Sequence, residues 1–224
     1  MHFDAMSVQN RRQYNMDSVF VGEKQVAGTH LCLAVVCDGV GSTQDGAFAS
    51  SFAVRTLRDW LSGLEDTARL GLRLRDLILE INRQIDLRIR QDGRQMASTV
   101  SALLLAGERF YIVHLGDSRI YELGVQELVL LTHDQSNGGR LTEYLGKTSD
   151  PEIFYNEGYY GQSRFLLCTD GLYKKTDPDV LETFVKKASK RNLHKTVENM
   201  VQYAMEQGES DNISAVLILC ENGR

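Results

Sequence analysis

Proline is nearly missing: Pro151 and Pro178 are the two prolines in 224 residues, and no Pro/Gly/Ser-rich stretch divides the chain. Without a linker to mark a boundary, a single domain over residues 1–224 is expected. Charge of one sign is not concentrated either. The 25 basic and 30 acidic residues leave a formal charge of −5. No Lys/Arg block is long enough to track a nucleic-acid backbone, which excludes nucleic acid as an expected partner. No apolar run approaches the roughly 18 residues of a membrane span, and Met1-His2-Phe3-Asp4 is not a charged-then-apolar leader. No membrane association is expected, and a cytoplasmic location is. Cys32, Cys37, Cys168 and Cys220 include no Cys-x-x-Cys pair, and three of the four lie inside apolar runs. A reducing compartment fits that usage and a disulfide framework does not. The histidines, His2, His30, His114, His133 and His194, have no i, i+4 or other zinc-ligand spacing, so a zinc site is not expected.

Ordinary globular patterning is what the chain does have. Strands are expected at Ser18–Val21, Leu31–Cys37, Thr99–Leu105, Phe110–Leu115, Arg119–Leu123, Phe165–Cys168 and Ile213–Leu219, runs rich in Val, Ile, Leu or aromatics that end at Gly, Asp or Asn. The near-continuous apolarity of Leu31–Cys37 and Ala215–Leu219 implies strands covered on both faces. Apolar residues at helical spacing predict four helices. One is capped by Asp45 and carries Phe48, Phe52, Leu57 and Trp60. The others run through Leu74–Ile89, through Val180–Ala188 after Pro178, and through Val197–Met205 before Gly208. Grouped rather than alternating helices predict an α+β fold, a largely antiparallel sheet system covered by helices.

Five aspartates border the expected strands: Asp17 before the first, Asp38 after Leu31–Cys37, Asp117 after Phe110–Gly116, Asp170 after Phe165–Thr169 and Asp211 before the last. In antiparallel strands the end of one and the start of the next share an edge, so all five carboxylates can meet at one rim. Such a cluster stays ionised only beside cations, because like charges raise one another's pKa. All-oxygen donors select a hard cation such as Mg²⁺, Mn²⁺ or Ca²⁺. Taken singly, Asp38-Gly39, Asp170-Gly171 and Asp92-Gly93 are also ordinary turn signals.

The order of local motifs sharpens this. Arg12-Gln13-Tyr14-Asn15-Met16-Asp17-Ser18 resembles the N-terminal Arg-x-x-Asn-Glu-Asp-Ser element of the protein phosphatase 2C-like (PPM) family. Val36–Gly41 looks like its Asp-Gly-x-Gly element, Met96–Thr99 like its Gly-Thr-Thr strand start, and Gly116–Tyr121 contains its Gly-Asp-Ser-Arg unchanged. Leu131–Ser136, Leu167–Leu172 and Ser210–Ser214 complete the set in family order. The resemblance implies an antiparallel β-sandwich of two sheets flanked by helices on both sides, with metals at one end. It implies a metal-dependent serine/threonine protein phosphatase using two Mg²⁺ or Mn²⁺ ions and a possible weaker third. By that correspondence Asp38 bridges two ions, Gly39 offers a carbonyl, Asp170 and Asp211 hold the first ion, and Asp17 supports the second through water. Asp117 belongs to the third, and Arg12 grips the substrate phosphate, which its forked guanidinium suits. Arg12 and Asp38 are thus the expected catalytic pair. The implied partners are a phosphoprotein substrate and a Ser/Thr kinase or its targets.

Departures from the pattern matter as well. Met16 stands where many relatives carry glutamate, and a thioether is a poor ligand for a hard cation. Val40 stands where the animal branch has a histidine, and Ser42 replaces a glycine. Met16 is the feature favouring the alternative, a catalytically weak or inactive phosphatase-like module that binds a kinase or phosphoprotein. A compact flap is expected at about residues 137–163, where Gly138-Gly139 supplies mobility and Tyr155, Tyr159 and Tyr160 are candidates to contact a peptide.

Overall fold

The structure, a computed structural model, describes residues 1–125 and 127–220. The chain begins with strands β1 (His2–Val8), β2 (Ser18–Val26) and β3 (Thr29–Cys37), then helices α1 (Gly46–Gly63) and α2 (Leu70–Asp92). Strands β4 (Val100–Ala106), β5 (Arg109–Leu115), β6 (Arg119–Leu123), β7 (Leu128–Leu130), β8 (Ser136–Asn137), β9 (Arg140–Leu141), β10 (Phe154–Tyr159) and β11 (Arg164–Cys168) follow. Helices α3 (Asp170–Tyr173), α4 (Pro178–Lys187) and α5 (Leu193–Glu206) precede the last strand, β12 (Ile213–Leu219).

Two five-stranded antiparallel sheets result, ordered β1-β12-β11-β6-β7 and β10-β5-β4-β3-β2. Alternation along β3 explains its unbroken apolarity. Leu31, Leu33, Val35 and Cys37 face α1 and α2, while Cys32, Ala34 and Val36 face the other sheet. In β12, Ile213, Ala215, Leu217 and Leu219 face the C-terminal helices, while Val216 and Ile218 point between the sheets. Three apolar layers therefore separate four layers of secondary structure, α/β/β/α. Sequence and structure agree on that class.

The expected helices form, with Asp45 capping α1 by accepting from Phe48 N at 3.2 Å. Asp92-Gly93 ends α2, Gly93 taking φ 67°. The segment expected as a flap is more regular than a loop. Gly138 and Gly139, at φ 58° and 78°, turn the short β8–β9 hairpin, a conformation glycine enters without steric cost. Beyond it β10 pairs with β5 as an edge strand. All four cysteines are free and buried. No helix among the described residues is long and apolar enough to cross a membrane.

Candidate active site

One rim of the sandwich collects the ends of β3, β5 and β11 and the starts of β2, β6 and β12, because the strands pair antiparallel. A cleft of about 300 Å³ opens there, lined by Arg12, Asp38, Gly39, Asp117, Asp170 and Asp211. Residues up to 199 positions apart in the chain thus meet at one place.

Backbone contacts hold each donor. Asp38 N donates to Thr99 Oγ1 at 2.9 Å, and Asp38 O accepts from Thr99 N and Ser98 Oγ at 2.9 Å each. Thr99 Oγ1 in turn lies 2.7 Å from Ser118 Oγ, joining the Asp38 and Asp117 turns through the floor. Gly39 N donates to Met16 O at 3.2 Å, and a Cβ at Gly39 would meet Met16 O and Gly46 O at 2.6 Å. Only glycine allows that approach. At Gly171 a Cβ would lie 2.0 Å from Asn212 O, so the Asp170 turn and the Asp211 turn are packed backbone against backbone.

Burial and crowding set the charges. Asp38 is raised well above the ordinary carboxylate range, first by burial and then by the fields of Asp17, Asp170, Asp117 and Asp211. Asp117 is pushed up to about 6 by burial and then by Asp170. Asp17 does not line the cleft. It lies behind the floor, where Thr169 Oγ1 (2.9 Å) and Ser214 Oγ (2.7 Å) donate to its Oδ2, and burial pushes it up to about 7 against those bonds.

Two carboxylates are covered by basic side chains. Arg12 grips Asp211 through Nε at 2.8 Å and a second nitrogen at 2.6 Å, while Lys174 Nζ pairs with Asp170 Oδ2. No three His, Cys, Asp or Glu side chains among the described residues converge closely enough to chelate an ion as they stand. The donor chemistry nonetheless fits a hard divalent cation. Asp170 Oδ1 is buried with no hydrogen-bond partner, and Asp38 is held among four other acids. A buried carboxylate oxygen left unpaired calls for a ligand.

Sequence reasoning missed how the Arg12 loop is held. Asn212, 5% exposed, accepts from Met16 N at 2.9 Å and donates to Gln9 O and Tyr14 O at 2.9 and 3.0 Å. Asn10, at φ 51°, donates to Glu209 O and Asp211 O. The Asp211-Asn212 pair was legible as a motif, but the division of labour within it was not. A second unread contact is the stack of Arg119 over Tyr173 at 3.7 Å. Arg119 is fixed bidentately by Asp134, and Tyr173 Oη donates to Asp117 O at 2.9 Å.

The flap tyrosines hold local contacts within the sheet and its adjoining turn. Tyr155 Oη donates to Glu157 and Tyr160 Oη to Gly107 O, while Tyr159 lies against Arg109. None of the three lines the cleft; Tyr14, Gly139 and Leu141 do. Pairing of β10 with β5 runs from Phe154 opposite His114, near the rim, to Tyr159 opposite Arg109 at the far end, with Tyr160 just beyond it.

The protein phosphatase 2C profile matches residues 7–217. The chain belongs to the protein phosphatase 2C family. It is 28% identical to the serine/threonine protein phosphatase PstP of Mycobacterium tuberculosis over 92% of its length, but spans 42% of that relative. It is 29% identical to the serine/threonine phosphatase stp of Listeria welshimeri, with 100% of this chain and 99% of the relative covered. Among solved structures, the catalytic domain of PstP in complex with two manganese ions superposes with TM-score 0.82 at 25% identity, covering 96% of each chain. The S. agalactiae serine/threonine phosphatase gives 0.85 at 22%, covering 98% of this chain and 99% of that one, a likeness of fold.

Proposed function

We propose that residues 1–224 form one protein phosphatase 2C catalytic domain, which hydrolyses phosphoserine and phosphothreonine in proteins with two divalent cations, Mg²⁺ or Mn²⁺. One observation carries the reading: an arginine and four acidic residues from separate turns line a single cleft at the rim of the sandwich. Asp38, Gly39, Asp170 and Asp211 would hold the ions, with Asp17 behind them through water and Asp117 beside a weaker third. Two such ions supply a nucleophile at neutral pH by lowering the pKa of water, and neutralise charge building on phosphorus.

The chain's own residues do the rest. The Arg12 guanidinium, more than half exposed, is free to leave Asp211 and present its fork to two phosphate oxygens. It thereby orients the phosphorus and absorbs equatorial charge. Asp38 is the most crowded of the acids, so it holds the position where positive charge is needed most. Cys37 and Cys168 are fully buried and take no part, and no Cys-x₅-Arg loop exists to activate them. No phosphoenzyme is required. Met16 lines the cleft, but its carbonyl is committed to Gly39 N and Ser50 Oγ, so its backbone role is architectural. Val40 offers no proton to the leaving oxygen. A Ser/Thr kinase or its targets are the proposed source of substrate.

The test is hydrolysis of p-nitrophenyl phosphate and a phosphothreonine peptide with Mn²⁺ and with EDTA. Turnover with Mn²⁺ is expected to vanish in EDTA. Asp38→Ala and Asp170→Ala are expected to lose at least about 100-fold in kcat, and Arg12→Ala to act mainly on KM. Full activity of the Asp38 variant overturns the assignment. Inactivity of the native chain on both substrates at saturating Mn²⁺ points instead to a binding module, and turnover of metabolites alone to a different phosphoesterase.

A further inference from the structure

Among the described residues Lys174 is the one ammonium on the cleft wall, and neither the motif set nor the proposed chemistry uses it. It follows Asp170 by four residues. Its backbone N donates to Asp170 O at 2.9 Å, closing the single turn of α3, so both side chains are delivered to the same face. Lys174 Nζ then pairs with Asp170 Oδ2, and the fields of Asp117 and Asp38 also reach it. The two partners differ in freedom. The Lys174 side chain is 52% exposed and that of Asp170 is 12% exposed. The ammonium can swing into water with little loss, whereas the carboxylate cannot follow. Only one of the two Asp170 oxygens is served by this pair, since Oδ1 is buried and unpartnered.

We propose that Lys174 is a resident counter-ion of the cleft. Its ammonium pairs with Asp170, competes with a divalent cation for that carboxylate, and so sets how much cation the site requires. The proposal rests on Asp170 being a cation ligand. A nearby unit positive charge would oppose the binding of a divalent ion by on the order of tenfold at a partly screened, half-exposed position. This chain therefore trades cation affinity for a charge partner to Asp170 built into the cleft wall.

Calorimetric titration of metal-free protein with MnCl₂ tests it on the native chain, Lys174→Met, Lys174→Arg and Asp170→Asn. Methionine keeps length and removes charge, so Lys174→Met is expected to bind the tightest Mn²⁺ about tenfold more strongly. Lys174→Arg is expected to stay within about threefold of native. In EDTA the melting temperature of Lys174→Met should fall, and its gain on adding Mn²⁺ should exceed the native gain. An unchanged or weaker Mn²⁺ affinity in Lys174→Met, with Asp170→Asn abolishing that binding event, overturns the proposal alone. Mn²⁺ binding undiminished in Asp170→Asn overturns the ligand reading and the proposal with it.

Discussion

Asp17, pushed up to about 7, and Asp117, pushed up to about 6, keep protons in the folded chain at pH values between about 4 and those limits, where the unfolded chain would have released them. A folded pKa above the unfolded value of about 3.9 gives stability that is complete below about pH 4 and is lost as pH rises through 6 to 7. His114 acts oppositely. Fully buried between Ser101 Oγ (2.8 Å) and His133 O (3.1 Å), it is lowered to about 4, so its contribution is lost as pH falls from about 6.5 toward 4. The two effects oppose each other below pH 6.5, and only the carboxylates act above it. Metal-free protein is therefore expected to lose stability between pH 6.5 and 8, on the order of 1 kcal/mol from Asp17 alone. Saturating Mn²⁺ should reverse the trend, since cation binding strengthens as protons leave. Thermal denaturation in EDTA and in MnCl₂ across that range checks the sign, and a rising melting temperature in EDTA contradicts it.

Among the elements, the loop between β1 and β2 shows what motif reading reaches and where it stops. Asp17 and Asp211 were legible because each lies beside a strand boundary, and Arg12 because it opens a run that resembles the family's N-terminal element. The agent that docks the loop was not, because Asn212 makes its bonds to Gln9, Tyr14 and Met16 across some 200 residues of sequence. Asn212→Ala removes all three bonds. With each such bond worth about 1 kcal/mol, the loop should loosen without global unfolding. The expected result is a rise in KM for a phosphopeptide of about tenfold and faster amide exchange confined to residues near 9–16. Native exchange in that loop would show that Asn212 does not hold it. Strands β1, β7 and β10 escaped sequence reading for a related reason. Their burial is partial, as in the all-intermediate pattern of His2–Val8, so no strong alternation or apolar run marks them. They form because β12, β6 and β5 present edges for them to pair with.

At the scale of the molecule, the rim site exists only while the two sheets stay in register across their shared interior. Phe165 is the largest fully buried side chain among the described residues, and it lies there. It is fully buried, with Phe110 at 6.2 Å and Tyr160 at 5.7 Å in edge-to-face contact. Phe165→Ala is expected to cost about 3–5 kcal/mol in urea denaturation, and a loss under 1 kcal/mol would mean that the sheets collapse into the gap. The four cysteines are spread over all three apolar layers, Cys32 and Cys220 between the sheets, Cys37 under α1 and α2, and Cys168 under the C-terminal helices. Burial raises all four thiols, Cys168 and Cys220 to about 12, so they pack as apolar groups rather than react.

Residue order by itself determined the layered α+β class, the helices and central strands, and the placing of Asp38, Asp117, Asp170 and Asp211 at strand ends, because hydrophobic period and turn chemistry are local properties. Only the tertiary structure decided which acids line the cleft, that Asp17 stands behind its floor, that Arg12 and Lys174 cover Asp211 and Asp170, and that the tyrosines of β10 lie along the sheet. Those outcomes depend on distances between segments far apart in the chain, and pairing geometry and charge neutralisation fix such distances only once the sheets have closed on one another.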